Sequence, residues 1–416
     1  MSIPSYNVLE VEPIPTLSDE VNDIRLRTAR IVSEYIIPEE EILYGRQGDG
    51  PQLKLLGEIE ELVKRAGLWA PHLPKEYGGA GLGFLGLAYM NEVMAWSMAA
   101  KRCFGLIAPN SGNASVLVKY GSEEQKKKWL EPLIAGEMES CFAMTEPDVA
   151  GSNPRAIQTS AKIDGDEWVI NGRKWFISNA NQADFSVTMC RTEGDDNGSG
   201  GNAMMTQIIV PTDTPGFTVE RVMPIWGHTR GEAACEITFS DVRVPLENQL
   251  GDRGTGHTAA QDRLGAGRVY HCMDCVGQMW RAFDLMVKRM TEREVHGGLQ
   301  ETKQILQGFI ADSYMDIQAA RLMTIHCAEV IESGSNPRTD ISAIKVWVPN
   351  AFHRVVDRAM QVYGGLGVCS DLPLEGMYKH ARIMRLADGP DEVHRILIAK
   401  NVLKHYHAGH SWDFGV

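Results

Sequence analysis

The sequence predicts an α+β chain in which an N-terminal helical domain and a C-terminal four-helix bundle flank a central antiparallel β-domain. Two observations predict it. Apolar residues recur near the 3.6-residue period up to about Glu139 and again after Gly256, whereas from Cys141 to about Leu250 the period shifts toward two. Within that middle stretch, short β-rich runs are bounded by Gly, Pro, Asn or Asp. The 416 residues suffice for two or three domains, and the changes of period place them at 1–140, 141–250 and 251–416.

In order along the chain, Ile24, Leu26, Ile31 and Ile36 form the first helical stripe, and Leu55, Ile59, Leu62 and Val63 the next. Pro71 to Gly83 is a turn-rich break, after which Phe84 to Met98 resumes an apolar helical run. Ser122 is the expected N-cap of the helix that follows Tyr120-Gly121. In the middle region Trp168-Val169-Ile170 leads through Asn171-Gly172 to Lys174-Trp175-Phe176-Ile177, which reads as a hairpin turning at Asn171-Gly172. Further strands are expected at 186–191, 206–210, 218–222 and 235–244, packed as a small barrel or sandwich. Long amphipathic helices then follow at 259–293, 302–333, 340–363 and 391–404.

Composition and charge narrow the function. The chain carries 41 Lys+Arg against 54 Asp+Glu, a net charge of −13, which repels a nucleic-acid backbone. Its one cation run, Lys126-Lys127-Lys128, follows Glu123 and Glu124 and reads as a solvated helix face. Met1 to Leu17 is interrupted by three prolines and carries Glu10 and Glu12, unlike a secretory signal, and no apolar run approaches the ~18 residues of a membrane span. A soluble, cytoplasmic protein is expected. The eight cysteines are scattered, and the close pair in His271-Cys272-Met273-Asp274-Cys275 lacks a second pair of ligands, so buried thiols are expected rather than a metal site. His228 and His296 read as structural groups.

Three segments have residues suited to chemistry. Gln361 to Gly367 (QVYGGLG) lets backbone approach a partner closely, but it lacks the spacing and preceding strand of a nicotinamide site. It also reads as a plain helix end. Asp388 precedes a Gly-Pro turn that opens the last helix; Asp391 is suited to N-capping and Glu392 to the helix dipole, whereas capping leaves Asp388 unexplained. A carboxylate there could act as a base. Phe142 to Ser152 opens the β-region with hydroxyls, Thr145 and Ser152, that could bond a polar heterocycle or the loop's own backbone.

Taken in order, LPKEYGGAGLG (73–83), YGSEEQKKKWLEPLIAGE (120–137), FAMTEP (142–147), NGRKWFIS (171–178), DVRVP (241–245), Arg293 four residues before Gly297, QVYGGLG (361–367) and the Asp388 segment resemble the acyl-CoA dehydrogenase family over nearly the whole chain. The phrases around Thr145 and Asp388 resemble its subgroup acting on long branched or hydroxylated chains, with Asp in place of the usual catalytic Glu. The resemblance implies FAD. It assigns Phe142, Met144, Thr145, Phe176 and Ser178 to the flavin ring, Ser152 to the CoA arm and cofactor, and Arg268 and Gly389 to the substrate. Arg293 and Gln304 would hold the pyrophosphate of a neighbouring subunit's cofactor, and Gln361, Gly364 and Gly365 its adenosine side, in a homodimer or homotetramer. Pro390 and Glu392 also fall at cofactor positions, Pro390 where the family has a flavin-contacting Thr.

The family also differs from this chain in the loop Pro147 to Ser152, one residue longer here, and at His296, which replaces a Phe. Some members carry the base just before the position of Arg268, but Gly267 stands there, which leaves Asp388. The implied reaction removes the α-proton of an acyl-CoA and passes the β-hydride to flavin N5, with an electron-transfer flavoprotein as the acceptor of the electrons. Two other classes are open: a flavin oxidase resembling nitroalkane oxidase, which also uses Asp, and a non-enzymatic helical scaffold.

Overall fold

The computed structural model describes residues 9–43, 50–192, 204–227, 233–335 and 337–414, so His228 lies outside the described residues. The principal helices are α1 (Asp19–Ile31), α2 (Gly50–Arg65), α3 (Phe84–Met94), α4 (Asn110–Tyr120), α5 (Gly256–Glu292), α6 (Gln304–Glu332), α7 (Arg338–Tyr363), α8 (Leu374–Met384) and α9 (Asp391–His407). The chain divides into two compact units: Met1–Glu40 with Leu82–Lys101 and Ala266–Val416, and Glu41–Gly81 with Arg102–Gly265.

The first unit is helical because its apolar residues form continuous stripes. Val269, Cys272, Met273, Val276 and Met279 of α5 join Ala320 and Ala328 of α6, Phe352, Val355 and Val356 of α7, and Ala88 and Tyr89 of α3 in one buried cluster. At Gly277 a Cβ would lie 2.8 Å from that of Ala95, so glycine is what lets the backbones approach there. The four expected C-terminal helices are present within a few residues of their predicted limits, and α8 is a fifth that the periodicity did not single out. Its buried face, Leu374, Met377, Ala381 and Met384, spans only three turns.

The second unit holds a sheet of β1 (Ser140–Ala143), β2 (Ser160–Asp164), β3 (Glu167–Ser178), β4 (Phe185–Thr192), β5 (Met204–Pro211), β6 (Phe217–Val222), β7 (Ala234–Pro245) and β8 (Gln249–Leu250). Its order is β6-β7-β3-β2-β4-β5-β8, with β1 on β4. Most pairs are antiparallel, but β1 and β2 both run parallel to β4, so the sheet is mixed. Trp168, Ile170 and Ile177 of β3 and Ile237, Phe239 and Val242 of β7 supply much of its core. Before it, Ser122 and Gln125 form a reciprocal capping box, as Ser122's position predicts.

The hairpin expected at Asn171-Gly172 is corrected by the structure: β3 runs through both residues, and the turn lies at Gly165-Asp166, where Asp164 pairs with Glu167. The Asn side chain serves the neighbouring strand instead, donating to Asp241 Oδ1 and accepting from its N–H, both at 2.9 Å. A Cβ on Gly172 would lie 2.7 Å from Thr159 Cα. Close backbone approach, rather than a turn, requires that glycine. Among the described residues no helix is long and apolar enough to cross a membrane.

Candidate functional site

The first unit builds a turn between α8 and α9. Asp388 and Gly389 both have positive φ, 55° and 104°. Aspartate tolerates that region because its short polar side chain bonds locally, and at 389 a Cβ would lie 2.9 Å from His394 Nε2, so only glycine fits. This winding aims the Asp388 carbonyl at two donors, Arg268 Nε at 3.0 Å and His394 Nε2 at 3.3 Å. The carboxylate, with 21% of the side chain exposed, lies 3.3 Å by Oδ2 from His271 Nε2. Arg268 and His271 are three residues apart on α5 and therefore share a face.

The surroundings fix protonation states. Burial pushes His394 down to about 4, so the ring is neutral near pH 7. Because a carbonyl can only accept, the ring hydrogen sits on Nε2, and Nδ1 lies 3.2 Å from Ser342 Oγ, whose own hydrogen is donated to the Arg338 carbonyl at 3.0 Å. Burial also draws Arg268 downward, an effect the Asp388 charge opposes. Asp391 is not the N-cap the sequence suggested: Pro390 holds that position, its fixed φ of −68° matching the helix entry. Asp391 is buried and accepts from Arg385 Nε at 2.9 Å and Asn350 Nδ2 at 3.0 Å.

In the second unit, the segment after β1 is tied to β3. Thr145 Oγ1 donates to the Trp175 carbonyl at 2.6 Å, and the Trp175 N–H donates back to the Thr145 carbonyl at 3.0 Å. Lys174 Nζ, fully buried, reaches the Met144 carbonyl and Glu146 Oε1, each at 2.9 Å. Burial would raise the Glu146 carboxyl, but Lys174 and the N–H groups of Gln158 and Thr159 outweigh it and hold it below the ordinary value. A bulge between Lys174 and Ile177 breaks the register with β7 and turns Phe176 outward at φ 53°, 48% exposed. Phe142 and Met144 are half-buried, and Ser178 and Ser152 are exposed. An outward aromatic ring, a neighbouring hydroxyl at Ser178 and a rigidly bonded Thr145 backbone fit a flat heterocycle.

A third group belongs again to the first unit. Gln300 donates to the Val362 carbonyl at 3.1 Å, and its own N–H donates to the Arg293 carbonyl at 2.8 Å. The Arg293 segment is thereby held to the end of α7. Arg293, Gln304, Gln361, Gly364, Gly365 and Glu392 are all exposed in the single chain. His296 forms part of the two-residue turn between Glu294–Val295 and Gly298–Leu299, at φ 49°. Cys272 and Cys275 are buried, with the Cys272 thiol pushed up to about 12 by burial, as buried thiols should be.

Sequence reasoning missed His271, His394, Glu146 and Lys174. For His271 a signal existed: its three-residue spacing from Arg268 in a helical run. For Lys174 the signal was its place on the same period-two register as the apolar Trp168 and Ile170.

The family's N-terminal, middle and C-terminal domain profiles, described as those of acyl-CoA dehydrogenase, match residues 18–137, 141–242 and 254–403. The chain is 36% identical to acyl-CoA dehydrogenase family member 11 of Gallus gallus over 91% of its own length and 50% of that protein. It thus spans about half the length of that curated relative. FadE2 of Mycobacterium tuberculosis is 37% identical over 92% of this chain and 95% of its own. A Mycobacterium abscessus structure assigned as an acyl-CoA dehydrogenase superposes with a TM-score of 0.87 at 34% identity, covering 95% of this chain and all of that one.

Proposed function

The chain belongs to the acyl-CoA dehydrogenase family, and from that premise we propose that it dehydrogenates an acyl-CoA thioester to the trans-2-enoyl-CoA, with Asp388 as the base. The observation that carries this reading is the Asp388 turn: a partly exposed carboxylate on a backbone locked by Arg268 and His394. A fixed backbone lets a short side chain present its oxygen to the substrate α-carbon reproducibly. Asp388 takes the α-proton, and the Gly389 N–H, beside Arg268, hydrogen-bonds the thioester carbonyl and stabilises the charge that develops there.

FAD, when bound, supplies the acceptor for the hydride that leaves the β-carbon. Phe142, Met144, Thr145, Phe176 and Ser178 would hold its ring, with Pro390 and Glu392 also at cofactor positions and Ser152 along the CoA arm. Arg293 and Gln304 of a second copy would pair the pyrophosphate, a task for which the guanidinium fork is shaped, and Gln361, Gly364 and Gly365 would meet the adenosine side. Their exposure in the single chain supports this sharing, as do the exposed apolar residues Ile305, Met315 and Leu322 of α6, at 78%, 60% and 60%. We assign a homodimer or homotetramer, the domain boundaries 1–140, 141–250 and 251–416, and an electron-transfer flavoprotein as electron acceptor.

The test is a panel of straight, 2-methyl-branched and hydroxylated acyl-CoAs mixed anaerobically with the yellow protein. Bleaching of the flavin absorbance by at least one is expected. Steady hydrogen peroxide release from a nitroalkane without an added acceptor would move the assignment to a flavin oxidase, and purified protein that fails to bind FAD would end it.

A further inference from the structure

We propose that His271 is the positioning residue of the base: its Nε2–H holds the Asp388 carboxylate in place. This rests on the reading of Asp388 as base. It goes beyond that reading by assigning a role to His271.

The geometry separates two jobs. Arg268 and His394 grip the backbone carbonyl of Asp388, at 3.0 and 3.3 Å. Those two bonds fix where the side chain starts. His271 Nε2 lies 3.3 Å from Oδ2 and so restrains the carboxylate itself. A carboxylate oxygen can only accept, so the proposed bond requires the hydrogen to be on Nε2. Aspartate makes this restraint matter more, because a short side chain has little reach to recover from a wrong torsion.

His271 stands at the head of a line of polar residues on one face of α5. Asp274 and Gln278 follow it on α5 at spacings of three and seven, on the same face. Asp274 Oδ2 accepts from Lys101 Nζ at 2.6 Å and from Gln278 Nε2 at 3.3 Å, and Gln278 Oε1 accepts from His380 Nδ1 at 3.2 Å. Asp274 Oδ1 is buried with no hydrogen-bond partner among the described residues, an acceptor one turn from the His271 ring. The titratable and charged groups facing this line are Asp388 from the turn, Arg268 and Asp274 from α5, His380 from α8, and Lys101. Arg338 and Lys345 of α7 face the neighbouring Arg268 and His394.

Two measurements test this. The first needs no turnover: in protein labelled at the histidine ring nitrogens, a low-field N–H resonance, assigned by its loss in His271→Gln, should move upfield in Asp388→Asn, where a neutral amide replaces the carboxylate. Absence of the resonance, or one unmoved by Asp388→Asn, overturns the inference. The second is stopped-flow reduction of FAD-loaded protein with whichever of butanoyl-, octanoyl- or hexadecanoyl-CoA bleaches wild type fastest. His271→Ala should slow reduction by roughly 10- to 100-fold, the scale of a misplaced catalytic group, with little change in KM. His271→Gln, whose amide N–H has similar reach, should recover most of that loss. Equal rates for wild type and His271→Ala, with Asp388→Asn inactive, overturn only the role of His271. Undiminished reduction in Asp388→Asn overturns the base assignment, and this inference with it.

Discussion

Arg268 binds Asp388 through the main chain, its Nε donating to the carbonyl oxygen at 3.0 Å while the carboxylate lies beside His271. The turn is therefore held independently of the carboxylate. Asp388→Asn should fold, keep the turn and retain FAD, yet slow anaerobic flavin reduction by at least ~10²-fold, as expected when a general base is lost. Stopped-flow absorbance alongside flavin content checks this; reduction near the wild-type rate would refute the assignment.

The proposed substrate class comes from the motif resemblance, and the length of the proposed base provides its test. Asp388 reaches one methylene less far than glutamate, so the α-carbon must come closer to the turn, and a branched or hydroxylated chain needs the room that glutamate would fill. Asp388→Glu should accordingly lose more kcat/KM on 2-methyl-branched or hydroxylated acyl-CoAs than on straight ones. Equal improvement on both kinds, or wild-type turnover of unsubstituted chains alone, contradicts the branched or hydroxylated assignment while leaving the dehydrogenation reading intact.

The proposed sharing of the cofactor between copies predicts a link between flavin content and assembly. Arg293 is exposed, and its backbone is fastened to the end of α7 through Gln300. Arg293→Ala should lower FAD occupancy with little change in the monomer's fold. Light scattering with flavin quantification is the measurement, and a fully flavinylated, monomeric wild type would contradict the shared site.

The Lys174–Glu146 pair, with exposures of 0% and 3%, makes a stability prediction. Lys174→Ala strands a buried carboxylate and should cost about 3–5 kcal/mol, read from urea unfolding. Glu146 is held below its ordinary value in the folded protein, so the stability it contributes is present above the unfolded-state carboxylate range and is lost as pH falls through the folded value. Glu146→Gln should flatten that acid limb.

His380 and His394 predict a second acid effect at higher pH. Burial pushes each from 6.5 to about 4. The unfolded chain takes up their protons first, so stability should decline as pH falls from 6.5 toward 4 and level off below. Thermal unfolding across that window checks it, and His380→Gln should reduce the slope. A wild-type midpoint that stays constant from pH 7 to 4.5 would contradict the buried, neutral assignment.

Much of this protein is legible without coordinates because its signals are local. The 3.6-to-2-to-3.6 change of apolar period reports which face of each element is buried, and the resulting helices–sheet–helices order is the one observed. The capping box at Ser122 needs only residues three apart. Asn171-Gly172 shows where local reasoning ends: as a pair it reads as a turn, but Asp241 and Thr159, some 70 and 13 residues distant, hold it inside a strand. The same limit applies at the candidate site. Motif order points to Asp388 and Arg268, whereas that Arg268 takes the carbonyl, His271 the carboxylate and Lys174 a buried Glu146 depends on side chains brought together by packing. Periodicity records burial one residue at a time; a hydrogen bond between residues more than a hundred positions apart leaves no periodic trace, and only the tertiary structure decides it.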